Sequence, residues 1–305
     1  MRLATLRRDG YRLGIVREGK VLDVVRADEA LGAGAPRDMT ALIEKGEEAL
    51  EKLGALANEA DEELWEPLSE VILGPPVPRP NKFLALAGNY REHIAESGWT
   101  RTPGEGEKLT PYVFMKPPST TISGPEDPIV IPRIGRAIDW EVELGVVIGR
   151  RGKYIRSDEA YDYIFGYTVV NDVSERKFDA GPRSRPREKD QFFDWLNGKW
   201  FDGFAPTGPV VVTKDEIRAP HNLRLSLRVN GQVKQDSNTR FMIFSVPEIV
   251  AFVSRMMTLE PGDIIATGTP SGVGDASGEY LKPGDVVEAE VEGIGILRNP
   301  VVQEE

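Results

Sequence analysis

Two acidic residues, Glu141 and Glu143, stand one position apart in the run Trp140-Glu141-Val142-Glu143-Leu144-Gly145-Val146-Val147-Ile148. In an extended strand alternate side chains share a face, so the two carboxylates point one way and Trp140, Val142 and Leu144 the other. Further along, the run is apolar on both faces, which marks an interior strand. Paired carboxylates there repel each other and lose hydration unless a cation compensates. A third acid, Asp172, follows the apolar run Ile164–Val170 in Asn171-Asp172 and can converge on the first two from a strand end. Three carboxylates with waters suit Mg²⁺ or Mn²⁺, with Ca²⁺ possible and zinc disfavoured. A solvent-facing strand is the plainer reading of the same alternation, and we take Glu288-Ala289-Glu290-Val291-Glu292 as an example of one.

The chain holds two histidines and no cysteine. Thiolate nucleophiles, disulfides, iron–sulfur clusters and cysteine-ligated zinc are therefore excluded, as is any multi-histidine metal site. His93 lies in Asn89-Tyr90-Arg91-Glu92-His93-Ile94-Ala95-Glu96, where a helical turn would bring Glu96 beside it. A carboxylate bonded to one imidazole nitrogen fixes the tautomer and raises basicity at the other, which suits deprotonation of water. The alternative is an exposed helix on which the two residues pair through solvent. His221, in Ala219-Pro220-His221-Asn222, reads as a surface loop residue. Gly98 to Pro111 has the composition of a mobile lid or of a plain surface loop. In Ala266-Thr267-Gly268-Thr269-Pro270-Ser271-Gly272-Val273-Gly274, backbone amides and the Thr269 hydroxyl could meet a ligand carboxylate, or the segment could be only a turn.

These residues need a scaffold, and composition suggests a β-rich one. Glycine and proline number 31 and 23 of 305 residues, above the usual share of about 12%, which favours turns over a helical bundle. Arg2–Arg7, Tyr11–Arg17 and residues 20–25 read as a three-stranded meander, and Met39 to about Glu63 as helix. Gly74-Pro75-Pro76-Val77-Pro78-Arg79-Pro80 reads as a linker, dividing a small N-terminal domain (1–74) from a larger one (81–305) across residues 75–80. Beyond it, eight apolar runs read as strands, Asn230-Gly231 predicts a tight hairpin, and Ser245 with Glu248 predicts a capped helix.

Net charge is −11, with 38 basic and 49 acidic residues and no basic stripe, so a nucleic-acid partner is not expected. No apolar run is long enough to span a bilayer, and charge in Met1–Asp9 stands where a signal peptide needs an apolar stretch. We expect a cytoplasmic protein with no membrane partner. Phosphate loops, Gly-x-Gly-x-x-Gly and Gly-x-Ser-x-Gly elbows are absent from the sequence.

The order Asn89-Tyr90-x-x-His93-x-x-Glu96, Phe114-x-Lys116-Pro117, Glu141-x-Glu143 and Asn171-Asp172-Val173-Ser174 resembles the fumarylacetoacetate hydrolase family. Gly198-Lys199-x-Phe201-Asp202-Gly203, Val229-Asn230-Gly231 and Pro261-Gly262-Asp263 through Gly274 resemble its later signatures, so the likeness runs from about Asn81 to Pro300. The resemblance implies an α+β, predominantly β fold, a mixed β-roll or sandwich with a small N-terminal domain, assembled as a homodimer. It implies Glu141, Glu143 and Asp172 as ligands of Mg²⁺ or Mn²⁺ and His93 with Glu96 as the water-activating pair. Lys199 would stabilise or protonate an enolate, with Tyr90, Arg176 and Thr269 around the substrate. Asp179 stands where many members carry glutamine, and an added stretch follows from Gly181 to Lys189; Gln191 is expected to take over the glutamine's role.

The small-molecule substrate implied is a 2-oxo acid or acylpyruvate, cleaved hydrolytically at a C–C bond. Decarboxylation, isomerisation or dehydration of a sugar acid on the same site are the alternatives, and a non-catalytic oxo-acid or metal-binding protein is the alternative of another class.

Overall fold

The computed structural model describes residues 1–98, 107 and 109–305. Most of the expected lid, residues 99–106 and 108, lies outside the described residues.

Apolar runs become strands close to their expected bounds: Phe83–Ala87, Tyr112–Lys116, Val142–Ile148, Ile164–Asn171, Ala205–Thr213 and Ile264–Ala266. They lie in one sheet of twelve strands together with the N-terminal meander Arg2–Arg7, Tyr11–Arg17 and Lys20–Asp23. Arg2–Arg7 pairs antiparallel with Ala205–Thr213, so the meander extends the central sheet. The proline-rich segment is folded against this junction; Pro75, Pro76 and Val77 are buried, and Thr5 Oγ1 donates to the Pro76 carbonyl at 2.7 Å.

Two expectations near the N-terminus need correction. Val24 and Val25 do not continue the third strand but open the helix Val24–Leu31, because Asp23 caps it by accepting the Val25 and Arg26 amides. The stretch expected as one helix is two, Met39–Lys45 and Glu47–Glu59. The expected helical turn around His93 is present as Arg91–Ser97, and Asp190–Asn197 adds an unexpected helix beside the candidate site.

A second sheet holds Gln232–Asn238, Arg224–Val229, Val286–Val291, Gly295–Gln303 and Ile129–Ile131 in that order. Its hairpin turns at Asn230 and Gly231, whose φ values of 51° and 77° suit a two-residue turn. Glu288 and Glu290 alternate with buried Val287, Ala289 and Val291, as a half-exposed strand should. The capped helix is present as Val246–Met256, with the Ser245–Glu248 capping box formed.

The second sheet packs on the central strands of the first. One core lies between the sheets and includes Leu144, Val146, Val169, Leu225, Val287 and Leu297. The other, on the opposite face, joins Val147, Val170 and Phe83 to Leu42 and Leu53 of the N-terminal helices. Every residue of Val142–Ile148 is consequently buried, and the expected mixed, mostly β architecture is what forms. Among the described residues, no helix is long and apolar enough to cross a membrane.

Candidate active site

Strand register brings the three acids together. Val142 pairs with Asn171, so Glu141, Glu143 and Asp172 flank one rung of the ladder. The Asp172 amide donates to the Glu141 carbonyl at 2.9 Å, and the Glu141 amide donates to Asn171 Oδ1 at 2.9 Å. All three acids are buried, and an oxygen of each lies within 4.8 Å of the others. Glu143 Oε2 accepts the Gly268 amide at 2.6 Å, while Oε1 has no partner among the described residues. Gly268 is required there, since it has φ of +93° and an added Cβ would lie 2.7 Å from Asn89 Cβ.

Three cations surround the acids. Lys199 Nζ donates to Glu141 Oε2 at 2.8 Å and to Asp172 Oδ2 at 2.7 Å, and lies over the rings of Phe114 and Trp195. Arg176 donates to Glu141 Oε1 and, at 2.8 Å, to Asp139 Oδ2. Lys116, fully buried, donates to Asp172 Oδ1, to the Val173 carbonyl at 2.8 Å and to the Phe204 carbonyl at 2.6 Å. Burial pushes the Lys116 ammonium down to about 8 against the pull of Asp172. Burial also pushes on Glu141, but Lys199 and Arg176 outweigh it and hold that carboxyl below its ordinary range. Glu143 makes no ion pair among the described residues, and burial, then Asp172 and Glu141, outweigh the pull of Lys199 and the Gly268 amide and raise it well above the usual carboxylate value.

Four buried carboxyls, those of Asp139, Glu141, Glu143 and Asp172, thus face three cations, and the one without an ion pair among the described residues is Glu143. An orphaned carboxylate oxygen within an all-oxygen donor set fits a hard divalent cation, which Glu141, Glu143 and Asp172 could hold together.

His93 and Glu96 sit on the helix Arg91–Ser97 as the spacing predicts. Nδ1 of His93 donates to Glu96 Oε1 at 2.9 Å, and both side chains are mostly buried, at 13% and 18% exposure, which removes the solvent-paired alternative. The Gly272 amide donates to Glu96 Oε2 at 2.9 Å. His93 is near enough to Glu141 to help lower its carboxyl. Tyr90 points its buried hydroxyl to the same region; it has no partner among the described residues, and burial, then Glu143, raise its pKa.

Other expected substrate contacts are placed differently. Arg176 is committed to Asp139 and Glu141. The Thr269 hydroxyl donates to the Val142 carbonyl at 3.0 Å and accepts from Gln235 Nε2 at 2.8 Å, so its donor is used within the protein. Gln191 is exposed on the first turn of Asp190–Asn197 and makes none of the cluster's hydrogen bonds. His221 is half-buried rather than a free loop residue, its Nε2 accepting the Val246 amide at the start of the capped helix. Lys116, Asp139 and Gln235 carry no role in the sequence reading; apart from the Trp140 amide on Asp139, their side-chain partners are distant in the chain.

The fumarylacetoacetate (FAA) hydrolase C-terminal domain matches residues 82–302. The chain belongs to the fumarylacetoacetate hydrolase family. Within that family it is similar to the mitochondrial oxaloacetate tautomerase FAHD2A of Bos taurus, with 41% identity over 93% of this chain and 84% of that one. The maleylpyruvate hydrolase of Sphingobium sp. SYK-6, in complex with manganese(II) and pyruvate, superposes with a TM-score of 0.78 at 32% identity, covering all of both chains. The 5-carboxymethyl-2-hydroxymuconate delta-isomerase of Mycobacterium smegmatis does so with a TM-score of 0.74 at 31% identity, again over all of both chains. Fumarylacetoacetate hydrolase family members are enzymes acting on oxo acids, and these relatives comprise a tautomerase, a hydrolase and an isomerase.

Proposed function

We propose that this chain catalyses keto–enol tautomerisation of a 2-oxo acid of the oxaloacetate type, with Mg²⁺ or Mn²⁺ held by Glu141, Glu143 and Asp172. The observation that carries the reading is the arrangement of His93–Glu96 and Lys199 about one buried acidic cluster with an unpaired oxygen. Similarity to oxaloacetate tautomerases over 93% of the chain supports it.

A divalent ion held by these three carboxylates would supply Lewis acidity toward the 2-oxo group of the substrate. The chain's own groups move the proton. Because Glu96 takes the Nδ1 proton in its hydrogen bond, His93 presents Nε2 as the basic nitrogen. Nε2 takes a proton from C3, the C3–H electron pair becomes the C2=C3 bond, and charge moves to the 2-oxo oxygen. Lys199, whose ammonium lies beside Glu141 and Asp172, can hydrogen-bond that oxygen. Glu96, fixed by Gly272, stabilises the imidazolium until Nε2 passes that proton to the 2-oxo oxygen, which yields the enol and restores the neutral base.

Hydrolytic C–C cleavage of an acylpyruvate, the reaction placed first on sequence grounds, is the second reading. The same base can deprotonate water, and the full-length likeness to a maleylpyruvate hydrolase favours it. Incubation with oxaloacetate and with acylpyruvates, with Mn²⁺ or EDTA, separates the two when enol absorbance and product mass are followed together, since tautomers share one mass and cleavage fragments do not. Metal-dependent keto–enol interconversion of an intact skeleton supports the tautomerase; pyruvate release from an acylpyruvate without such interconversion transfers the assignment to hydrolysis.

A further inference from the structure

Asp172 meets two buried lysines, one on each carboxylate oxygen, and the surroundings of the two differ. Lys116 has three ammonium protons and three acceptors: Asp172 Oδ1 and the carbonyls of Val173 and Phe204. Two of those acceptors are main chain, one beside Asp172 and the other at the edge of the strand Ala205–Thr213. If Lys116 left, two buried carbonyls and its own charge would lose their partners, so it has nowhere to go.

Lys199 is held otherwise. Its Nζ acceptors among the described residues are both side-chain carboxylates, Glu141 Oε2 and Asp172 Oδ2, and both belong to the candidate metal ligands. Its remaining contacts are the faces of Phe114 and Trp195, 5.3 and 5.8 Å from Nζ, which attract a cation without fixing its direction. A divalent cation arriving at those two oxygens would replace one positive charge by another and strand no carboxylate.

We propose that Lys116 and Lys199 divide the oxygens of Asp172 between a fixed anchor and a displaceable counter-ion. Lys116 is a positioning residue that holds Oδ1 whether or not metal is bound, so that Oδ2 alone faces the cation. Lys199 occupies Oδ2 and Glu141 Oε2 in the metal-free protein and gives them up on loading, which turns its ammonium toward the substrate. This deepens the metal-dependent reading and rests on it.

The test is Mn²⁺ binding to the full chain, followed by the electron paramagnetic resonance of free Mn²⁺, for wild type, Lys116→Met and Lys199→Met. Charge alone predicts that losing either lysine tightens binding, because each removes a positive charge beside Asp172. The division predicts opposite signs: tighter binding in Lys199→Met, and about tenfold or more weaker binding in Lys116→Met, the usual cost of losing a group that orients a ligand. It also predicts that Lys199→Met melts below wild type without metal and gains more from saturating Mn²⁺, so Lys199→Met carries the test even if Lys116→Met does not fold. Unchanged or weaker binding in Lys199→Met, or tighter binding in Lys116→Met, overturns the division while leaving the metal site standing. No Mn²⁺ binding by wild type overturns the metal reading and the division together.

Discussion

Glu96 accepts the amide of Gly272 across 176 positions of sequence, at 2.9 Å, with the oxygen that does not meet His93. The orientation of the proposed base therefore depends on the glycine-rich loop as well as on its own helix. Gly272 has φ of +98°, and an added Cβ would fall 2.1 Å from the Lys234 carbonyl. Gly278 has φ of +72° but open space around it. Gly278→Ala should lose about 1–2 kcal/mol from backbone strain and keep its activity. Gly272→Ala should lose more stability and most of its turnover; urea unfolding and kcat for the two variants make the comparison.

Glu143 is the one member of the cluster without an ion pair among the described residues. Glu143→Gln keeps an acceptor for the Gly268 amide and removes the excess charge, so without metal it should melt no lower than wild type. Wild type at a Mn²⁺ concentration of 100 times Kd should gain about 2.7 kcal/mol, and Glu143→Gln less than half of that. Thermal melts with and without Mn²⁺ read both expectations.

Arg176 is 10% exposed and joins Asp139 to Glu141. Arg176→Met leaves both carboxylates without that partner and should destabilise the fold by about 3–5 kcal/mol, the range for breaking a buried ion pair from one side. Urea unfolding at neutral pH measures it.

The parts of the site that were legible in sequence obey a local period. Glu141 and Glu143 share a face because a strand alternates, Asp172 ends the neighbouring strand, and His93 meets Glu96 over one helical turn. Lys116 was illegible as a site residue because its acceptors lie 56, 57 and 88 positions away. Asp139 and Gln235 are hidden for the same reason, their partners being Arg176 and Gly274 in one case and Val142, Thr269 and Pro270 in the other. In the fold, Phe83–Ala87 and Val286–Val291 were plain from their apolar residues. Gln232–Asn238 is legible only as the second arm of the Asn230-Gly231 hairpin, because it forms the edge of its sheet and carries mostly polar side chains. Gly46 ends one helix and begins the next at φ +67°, ψ −139°, a break that a continuous spacing of leucines does not reveal.

His221 gives the protein a pH signature apart from the carboxylates. Burial lowers its pKa in the fold, and its Nε2 must be unprotonated to accept the Val246 amide. The unfolded chain, with an ordinary value of about 6.5, then binds the proton first. The stabilisation is complete above that value and is lost as the pH falls below it toward the lower folded value. Calorimetric melts between pH 7.5 and 5.5 should fall more steeply for wild type than for His221→Gln.

The most direct test of the central claim, that His93 moves the substrate's proton at a metal-dependent site, is solvent-deuterium exchange at C3 of oxaloacetate, followed by proton NMR with Mg²⁺. Wild type should exchange rapidly, EDTA should suppress the exchange, and His93→Ala should be slower by roughly 10²–10⁴-fold, the span for a positioned general base. Exchange by His93→Ala at the wild-type rate, or wild-type exchange indifferent to EDTA, would contradict it.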